Sequence, residues 1–284
     1  MHNDSAFCHN CGIKLVGRFC AACGQKAVPL SVTLHDFFHE LTHEMLHVDG
    51  RIVQSIRRLV LSPGFLTREY IRGRRARWIS PTRLYLIFSV VFFGLSAMTG
   101  FDVGIHEGRT GSGWIFSARS GARIDITADP GEDAEDEARK LGFENAAALQ
   151  QAIDNAVLAW IPRVMFVLLP FFAWLVALAY HRVDRNYLHH LIFAVHAHAA
   201  WFAAAAAAKA VELASYPLGQ ALGKLAVVFA AVYVVVAFRR VYGKVRFSFA
   251  RIAFVLVVYL IAFILVVVAI VLPVILPRLL TTLA

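Results

Sequence analysis

Charge is scarce in this chain. Only 17% of its 284 residues are charged and 59% are hydrophobic, against about 25% and 45–50% in ordinary soluble domains. Mean hydropathy is +0.62. A soluble globular protein is therefore not the expected class. Cysteine is scarce too: there are four, all within the first 23 residues. No basic stretch leads into a short apolar run at the N-terminus, so no cleaved signal peptide is expected. The cysteines then sit in a reducing compartment, and a disulfide framework is not expected. No Gly-rich phosphate loop and no nucleophile–base motif is visible, so no complete catalytic set can be read.

What the chain has in abundance is long apolar runs. A bilayer core of about 30 Å needs roughly 20 helical residues. Five runs meet that length: about 84–101, 157–180, 188–208, 218–238 and 252–276. The fourth is the weakest, because Gln220 and Lys224 leave only 225–238 uncharged, and a re-entrant or surface helix is its alternative. The β-branched density of the fifth does not argue for a strand, since an isolated span must bond its own backbone and is helical. The expected fold is an all-α polytopic membrane protein of about five transmembrane helices with a small N-terminal ribbon.

The positions of the charges agree with five spans. Residues 1–83 carry 12 Lys and Arg against 6 Asp and Glu, and 101–159 carry 5 against 11. The 239–251 connection holds Arg239, Arg240, Lys244, Arg246 and Arg251 with no acid, and 181–187 is mildly basic. The positive-inside rule then places the N-terminus in the cytoplasm, 102–156 outside and the C-terminus outside, as expected of a bacterial inner membrane. The net charge of +9 is absorbed by this topology, so nucleic acid is not the expected partner. Arg68, Arg72, Arg74, Arg75 and Arg77 lie just before the first span, where contact with anionic headgroups accounts for them.

The N-terminal cysteines form two CxxC pairs, Cys8/Cys11 and Cys20/Cys23, each followed by glycine. Four thiolates at this spacing give a closed tetrahedral site, structural rather than catalytic, and Zn2+ is the expected ion. So short a segment depends on its metal to fold. Phe7 and Phe19, one residue before each pair, read as cover for the knuckles. A redox CxxC or an iron–sulfur cluster is the alternative, but about 25 residues cannot supply the βαβ setting of a thioredoxin-type motif.

The domains expected are a ribbon at 1–28, cytoplasmic amphipathic or juxtamembrane helices at 31–83, and a transmembrane domain at 84–284. Within 31–48, His35, His39, His43 and His47 recur every four residues and share one helix face. They suit either a helix lying on the membrane surface or a metal or proton role with Glu40, Glu44 or Asp49. Residues 51–61 read as a second short helix that stops at Ser62-Pro63-Gly64. In the outer segment, 108–128 is Gly-rich with β-like pieces, and 132–155 reads as helical.

The third span holds His189, His190, His196 and His198. Ionisable groups at that depth are functional candidates by default. At about 100° per residue His189 and His196 share a face, whereas His190 and His198 lie about 80° apart, so one helix cannot chelate with all four. Partners from other helices are needed, such as Tyr180, Tyr187, Glu212 or Tyr233. Neutral histidines bonded between helices, a proton or metal path and axial haem ligation all remain open. Lys209 and Glu212 are spaced as an i, i+3 pair.

The ribbon ending in CGQ, the PGxxxREYIxGRR segment at 63–75, the PxRxYL approach to the first span at 81–86 and the HLIFxxHxH run at 190–198 together resemble a bacterial membrane family known as domain of unknown function 3667. Pro63-Gly64, Arg68 to Ile71, Gly73 to Arg75, His190, His196 and His198 carry the resemblance, which spans nearly the whole chain. It implies a bacterial membrane and zinc; it implies no activity. Three functions follow as expectations: a scaffold or regulatory protein whose ribbon binds a cytoplasmic protein, a proton or metal-ion transporter using His190, His196 and His198, or a membrane redox protein or enzyme. A homo-oligomer is a further option.

Overall fold

Apolar length sets the architecture. The computed structural model describes residues 7–27, 51–99, 132–243 and 248–282. The helix proposed over 31–48, with His35, His39, His43 and His47, and the β-like pieces within 108–128 lie outside these residues. After the ribbon come eight helices among the described residues: α1 (Arg51–Leu61), α2 (Phe65–Ile71), α3 (Pro81–Thr99), α4 (Glu132–Lys140), α5 (Ala146–Tyr180), α6 (Tyr187–Glu212), α7 (Tyr216–Tyr242) and α8 (Ser248–Thr282). Five of them, α3 and α5 to α8, are long and apolar enough to cross a membrane. The protein is an all-helical membrane protein with a four-cysteine cluster at its N-terminal end.

The boundaries shift where polarity is a poor guide. Helix α5 starts at Ala146 rather than near 157. The Ala- and Gln-rich residues 146–156 are good helix formers, and nothing between them and the apolar run breaks the helix. Helix α7 has 27 residues, about 40 Å at 1.5 Å each, so Gln220 and Lys224 lie within a helix long enough to cross. Burial separates the spans further. Some 83% of the α6 span is buried, against 6% for α8. Alanines at 199, 200, 205, 206 and 208 are all buried, and such small residues let neighbouring helices approach α6 closely.

The chain divides into two compact units. The first comprises Met1–Ser89, Leu169–Ala204 and Val228–Val255. It holds the ribbon, the α1–α2 hairpin, the start of α3 and the adjoining parts of α5 to α8. The hairpin is made by the Ser62-Pro63-Gly64 turn: Ser62 N–H donates to Arg58 O and Phe65 N–H to Ser62 O. Gly64 has φ of 72°, and a Cβ there would lie 3.0 Å from Ala237 O and 3.1 Å from Ala237 Cα. Only glycine meets both conditions without strain. Arg240 Nη1 donates to Pro63 O at 2.9 Å. Helix α2 therefore sits against α7 as part of the packed interior, with Leu66, Thr67 and Tyr70 buried.

Helix α2 ends in a Schellman motif. Arg74 N–H donates to Glu69 O and Gly73 N–H to Tyr70 O, with Gly73 at φ 78°; this is the αL glycine that closes a helix. Pro81 then opens α3, with Leu84 N–H donating to Ser80 O, the usual place for a helix-starting proline.

The second unit comprises Val90–Leu168, Ala205–Val227 and Leu256–Ala284. Lys209 Nζ lies 3.2 Å from Glu212 Oε2, the i, i+3 pair expected, and both residues are buried. A Cβ on Gly219 would fall 2.4 Å from Glu212 Cβ, so the close approach of the first turn of α7 to the end of α6 requires glycine.

Candidate functional site

The ribbon is two copies of one small turn. Gly12 N–H donates to Cys8 O and Cys8 N–H to Ile13 O; likewise Gly24 N–H donates to Cys20 O and Cys20 N–H to Gln25 O. Gly12 and Gly24 are left-handed, with φ of 77° and 69°. Each knuckle aims its cysteines at the other. Cys8 Sγ is 3.6 Å from Cys23 Sγ, Cys11 Sγ is 3.4 Å from Cys20 Sγ, and all four sulfurs lie within 4.8 Å of one another. Metal–sulfur bonds of about 2.3 Å in a tetrahedron imply sulfurs roughly 3.8 Å apart, so this donor set fits one ion such as Zn2+. Backbone N–H groups of Cys23 and Ala22 hold the Cys20 thiol down to about 6, which favours the thiolate a metal needs.

Phe7 and Phe19 do not cover the knuckles. They form bridges to Lys14 and Lys26 and are 59% and 61% exposed. The reason is local: the backbone of these residues is engaged in pairing, and a module this small has no core to receive their rings.

Gln25 bonds the ribbon to the loop that follows the hairpin. Gln25 Nε2 donates to Gly73 O at 2.7 Å. Its Oε1 accepts from Arg75 N–H and Ala76 N–H, both at 3.1 Å. A primary amide can satisfy a carbonyl and two N–H groups at once, and the Gly73–Ala76 loop presents that set. The loop is also held from beneath. Ser55 Oγ, fully buried in α1, accepts from Ile79 N–H at 3.1 Å, and Trp78 packs edge-on against Phe65 at 5.5 Å.

The arginines read as headgroup ligands are not alike. Glu69 pairs with Arg74 at 3.5 Å and Arg72 at 3.9 Å. Arg75 stacks over Tyr70 at 4.4 Å. Arg68 lies half-buried on α2, and Arg77 is exposed. Arg77 and Arg51 line an open cleft of about 320 Å³ with Asn10, Gln54, Ala76 and Cys23. Arg51 Nη1 donates to Ala76 O at 2.7 Å.

Of the α6 histidines His190, His196 and His198 are buried and His189 is half-buried, and each is individually bonded. His190 lies 2.8 Å from Tyr242 Oη through Nδ1 and 3.1 Å from Asp184 O through Nε2. His189 pairs with Asp184 at 2.6 Å. His198 Nδ1 lies 2.8 Å from Ala194 O, and its ring meets Phe172 edge-on at 5.4 Å. His196 Nδ1 lies 3.1 Å from Thr67 Oγ1. Nine residues separate His196 from Tyr187, so this contact is about 14 Å along α6. Of the partners foreseen from sequence, Tyr187 bonds Pro170 O instead, Glu212 pairs with Lys209, Tyr180 stacks on Phe238 and Tyr242, and Tyr233 meets Phe229. Tyr242 and Thr67 take their place. Among the described residues the only cluster of three or more His, Cys, Asp or Glu able to hold a metal is the four cysteines.

Gln25, Ser55, Thr67 and Tyr242 were not singled out by sequence. Gln25 follows the second knuckle directly and Thr67 lies inside the PGxxxREYIxGRR run, but only the fold brings them to their partners.

One segment of this site has a known likeness. Residues 49–93 match a family. It is described as "Protein of unknown function (DUF3667)". The matched segment runs through α1, α2 and most of α3 and so includes the whole hairpin. The ribbon and the histidines of α6 lie outside it. No curated protein and no solved structure matches the chain.

Proposed function

We propose that this is a bacterial inner-membrane protein whose cytoplasmic ribbon binds a structural Zn2+ and presents a docking face to a protein partner, so that the molecule acts as a membrane scaffold or regulator. The observation that carries the reading is the pairing of a fixed ribbon with an uncovered apolar surface. Gln25 locks the ribbon to the hairpin, yet Phe7, Ile13, Val16 and Phe19 are 50–93% exposed. Large apolar side chains clustered on so small a polar module suit a partner surface. The zinc assignment rests on four sulfurs at tetrahedral spacing. The N-terminal location rests on the basic 1–83 and 239–251 segments and the positive-inside rule.

The histidine bonds support an internal structural role, because each ring is used to join the α6 backbone or side chains to a neighbour. Photocrosslinking in native membranes from a probe at Val16 tests the scaffold. One defined protein adduct is expected. It should vanish in a Phe7→Ser/Phe19→Ser variant that retains one zinc per chain. Lipid adducts alone, or a protein adduct indifferent to these substitutions, would refute the docking face.

A further inference from the structure

We propose that the partner held by the ribbon is an acidic protein segment with apolar anchors, received by two equivalent phenylalanine–lysine pairs. This deepens the scaffold reading and rests on it. Each knuckle repeats one arrangement: Phe7 is bridged to Lys14 and Phe19 to Lys26, both antiparallel. Residues opposite each other in such a bridge have Cβ atoms about 4.5–5.5 Å apart on one face, so each bridge sets a ring beside an ammonium stem. The repeat is written in the sequence: twelve residues separate Phe7 from Phe19, Cys8 from Cys20 and Lys14 from Lys26. The two rings are 59% and 61% exposed, and both lysines are exposed. Val16, midway between the repeats, is 93% exposed.

Charge decides the chemistry of the partner. Residues 7–27 contain Lys14, Arg18 and Lys26 and no aspartate or glutamate. Four thiolates on a divalent ion leave a net charge of about −2. Cys8 and Cys20 are buried, however, and backbone N–H groups of Cys23 and Ala22 bond the Cys20 sulfur, so much of that charge is taken up inside the knuckles. The hairpin beside the ribbon brings little acid to it. Between residues 51 and 83 the one acid is Glu69, and it pairs with Arg72 and Arg74. The outer surface of the ribbon is thus apolar and cationic, and its complement is apolar and anionic.

An anionic lipid surface has the same sign, but it is fluid and requires no fixed spacing of anchors. Two identical pairs on a module held by a metal and by the Gln25 bonds do impose a spacing, which suits two apolar–acid units of one polypeptide. The rings supply affinity, as buried aromatic anchors do in interfaces. The lysines supply selectivity and rate of encounter, since exposed ion pairs add little affinity each.

Photocrosslinking of the full chain in native membranes from the probe at Val16 tests this, with the crosslinked peptide sequenced by mass spectrometry. The expected adduct is a protein segment of net negative charge that carries at least two large apolar residues. In a Lys14→Gln/Lys26→Gln variant its yield should fall roughly tenfold, about threefold for each exposed pair. Lys14→Arg/Lys26→Arg should restore it. Both lysines are exposed and pair through their backbone, so zinc should stay at one per chain. Raising salt from about 0.05 M to about 0.5 M should lower the yield from the wild-type chain by screening, a readout that stands even if the glutamine variant loses zinc. A protein adduct that depends on Phe7 and Phe19 but not on the lysines or on salt would leave the scaffold reading in place and overturn the acidic partner. A neutral or basic crosslinked segment would do the same. No protein adduct, or adducts to anionic phospholipid alone, would overturn both.

Discussion

Replacing Gln25 by alanine removes three hydrogen bonds at once, to Gly73 O at 2.7 Å and from Arg75 and Ala76 N–H at 3.1 Å. Each such bond contributes about 1 kcal/mol net. Three would give about 3 kcal/mol, but Gln25 is only half-buried and water can replace part of the loss. About 2 kcal/mol, or roughly 30-fold in the docking equilibrium, is the expected effect. The metal site itself should persist, because none of its four sulfurs is touched and each knuckle closes through its own backbone. Hydrogen exchange provides the assay: the amides of Arg75 and Ala76 should exchange roughly 30-fold faster while zinc stays at one per chain. Gln25→Glu keeps an acceptor for both N–H groups but places a carboxylate oxygen against Gly73 O, so it should recover only part of the protection. Unchanged exchange in the alanine variant would show that the ribbon is held elsewhere. Loss of zinc would show that Gln25 builds the ribbon rather than docks it.

Three further outcomes are expected. Gly64→Ala forces a Cβ to 3.0 Å from Ala237 O at φ 72° and should destabilise by about 2–3 kcal/mol from αL strain and crowding, whereas Gly94→Ala, with nothing within 4 Å, should be neutral or stabilising by up to about 1 kcal/mol; thermal unfolding in detergent compares them, and equal midpoints would refute the packing of the turn. Thr67→Val removes the hydroxyl partner of His196 while the Ile192 carbonyl still meets the ring, so it should cost about 1 kcal/mol, with Thr67→Ser close to wild type by the same measurement. Protons compete with the metal for all four thiolates, so acid titration with a zinc indicator should show release as pH falls, and occupancy indifferent to pH down to about 3 would contradict the four-thiolate site.

The spans were legible in sequence because hydropathy is a local property that helix length converts directly into thickness. The metal site was legible for a similar reason: two CxxC pairs twelve residues apart define the donor set before any fold is known. The start of α5 was not, since residues 146–156 are polar enough to look like loop yet helical enough to continue the span. The aromatic residues at 7 and 19 were misread because spacing does not tell which side of a two-residue bridge a ring occupies. Turn angles along α6 show that one helix cannot chelate an ion with all four of its histidines. Their partners were beyond reach. Thr67 and His196 are separated by 129 residues, and His190 and Tyr242 by 52, and no local pattern specifies such pairs.

Those distant pairs change what the hairpin is. A histidine buried in a helix bundle requires a hydrogen-bond partner, because leaving its polar nitrogen unmet costs about as much as a large core mutation. Besides the Ile192 carbonyl of its own helix, His196 meets Thr67, supplied by a helix of seven residues that could not be stable alone. Helix α2 thus adds a cross-element bond to the bundle on which its own packing depends, and Gly64 against Ala237 seals the same contact from α7. The other end of α2 terminates in the Gly73 loop that Gln25 grips. About two turns of helix therefore touch the ribbon at their C-terminal end and the spans along their buried face. The segment matched by the family, 49–93, contains this piece and little else besides α1 and the first span. That likeness therefore falls on the piece that carries contacts to both the ribbon and the spans.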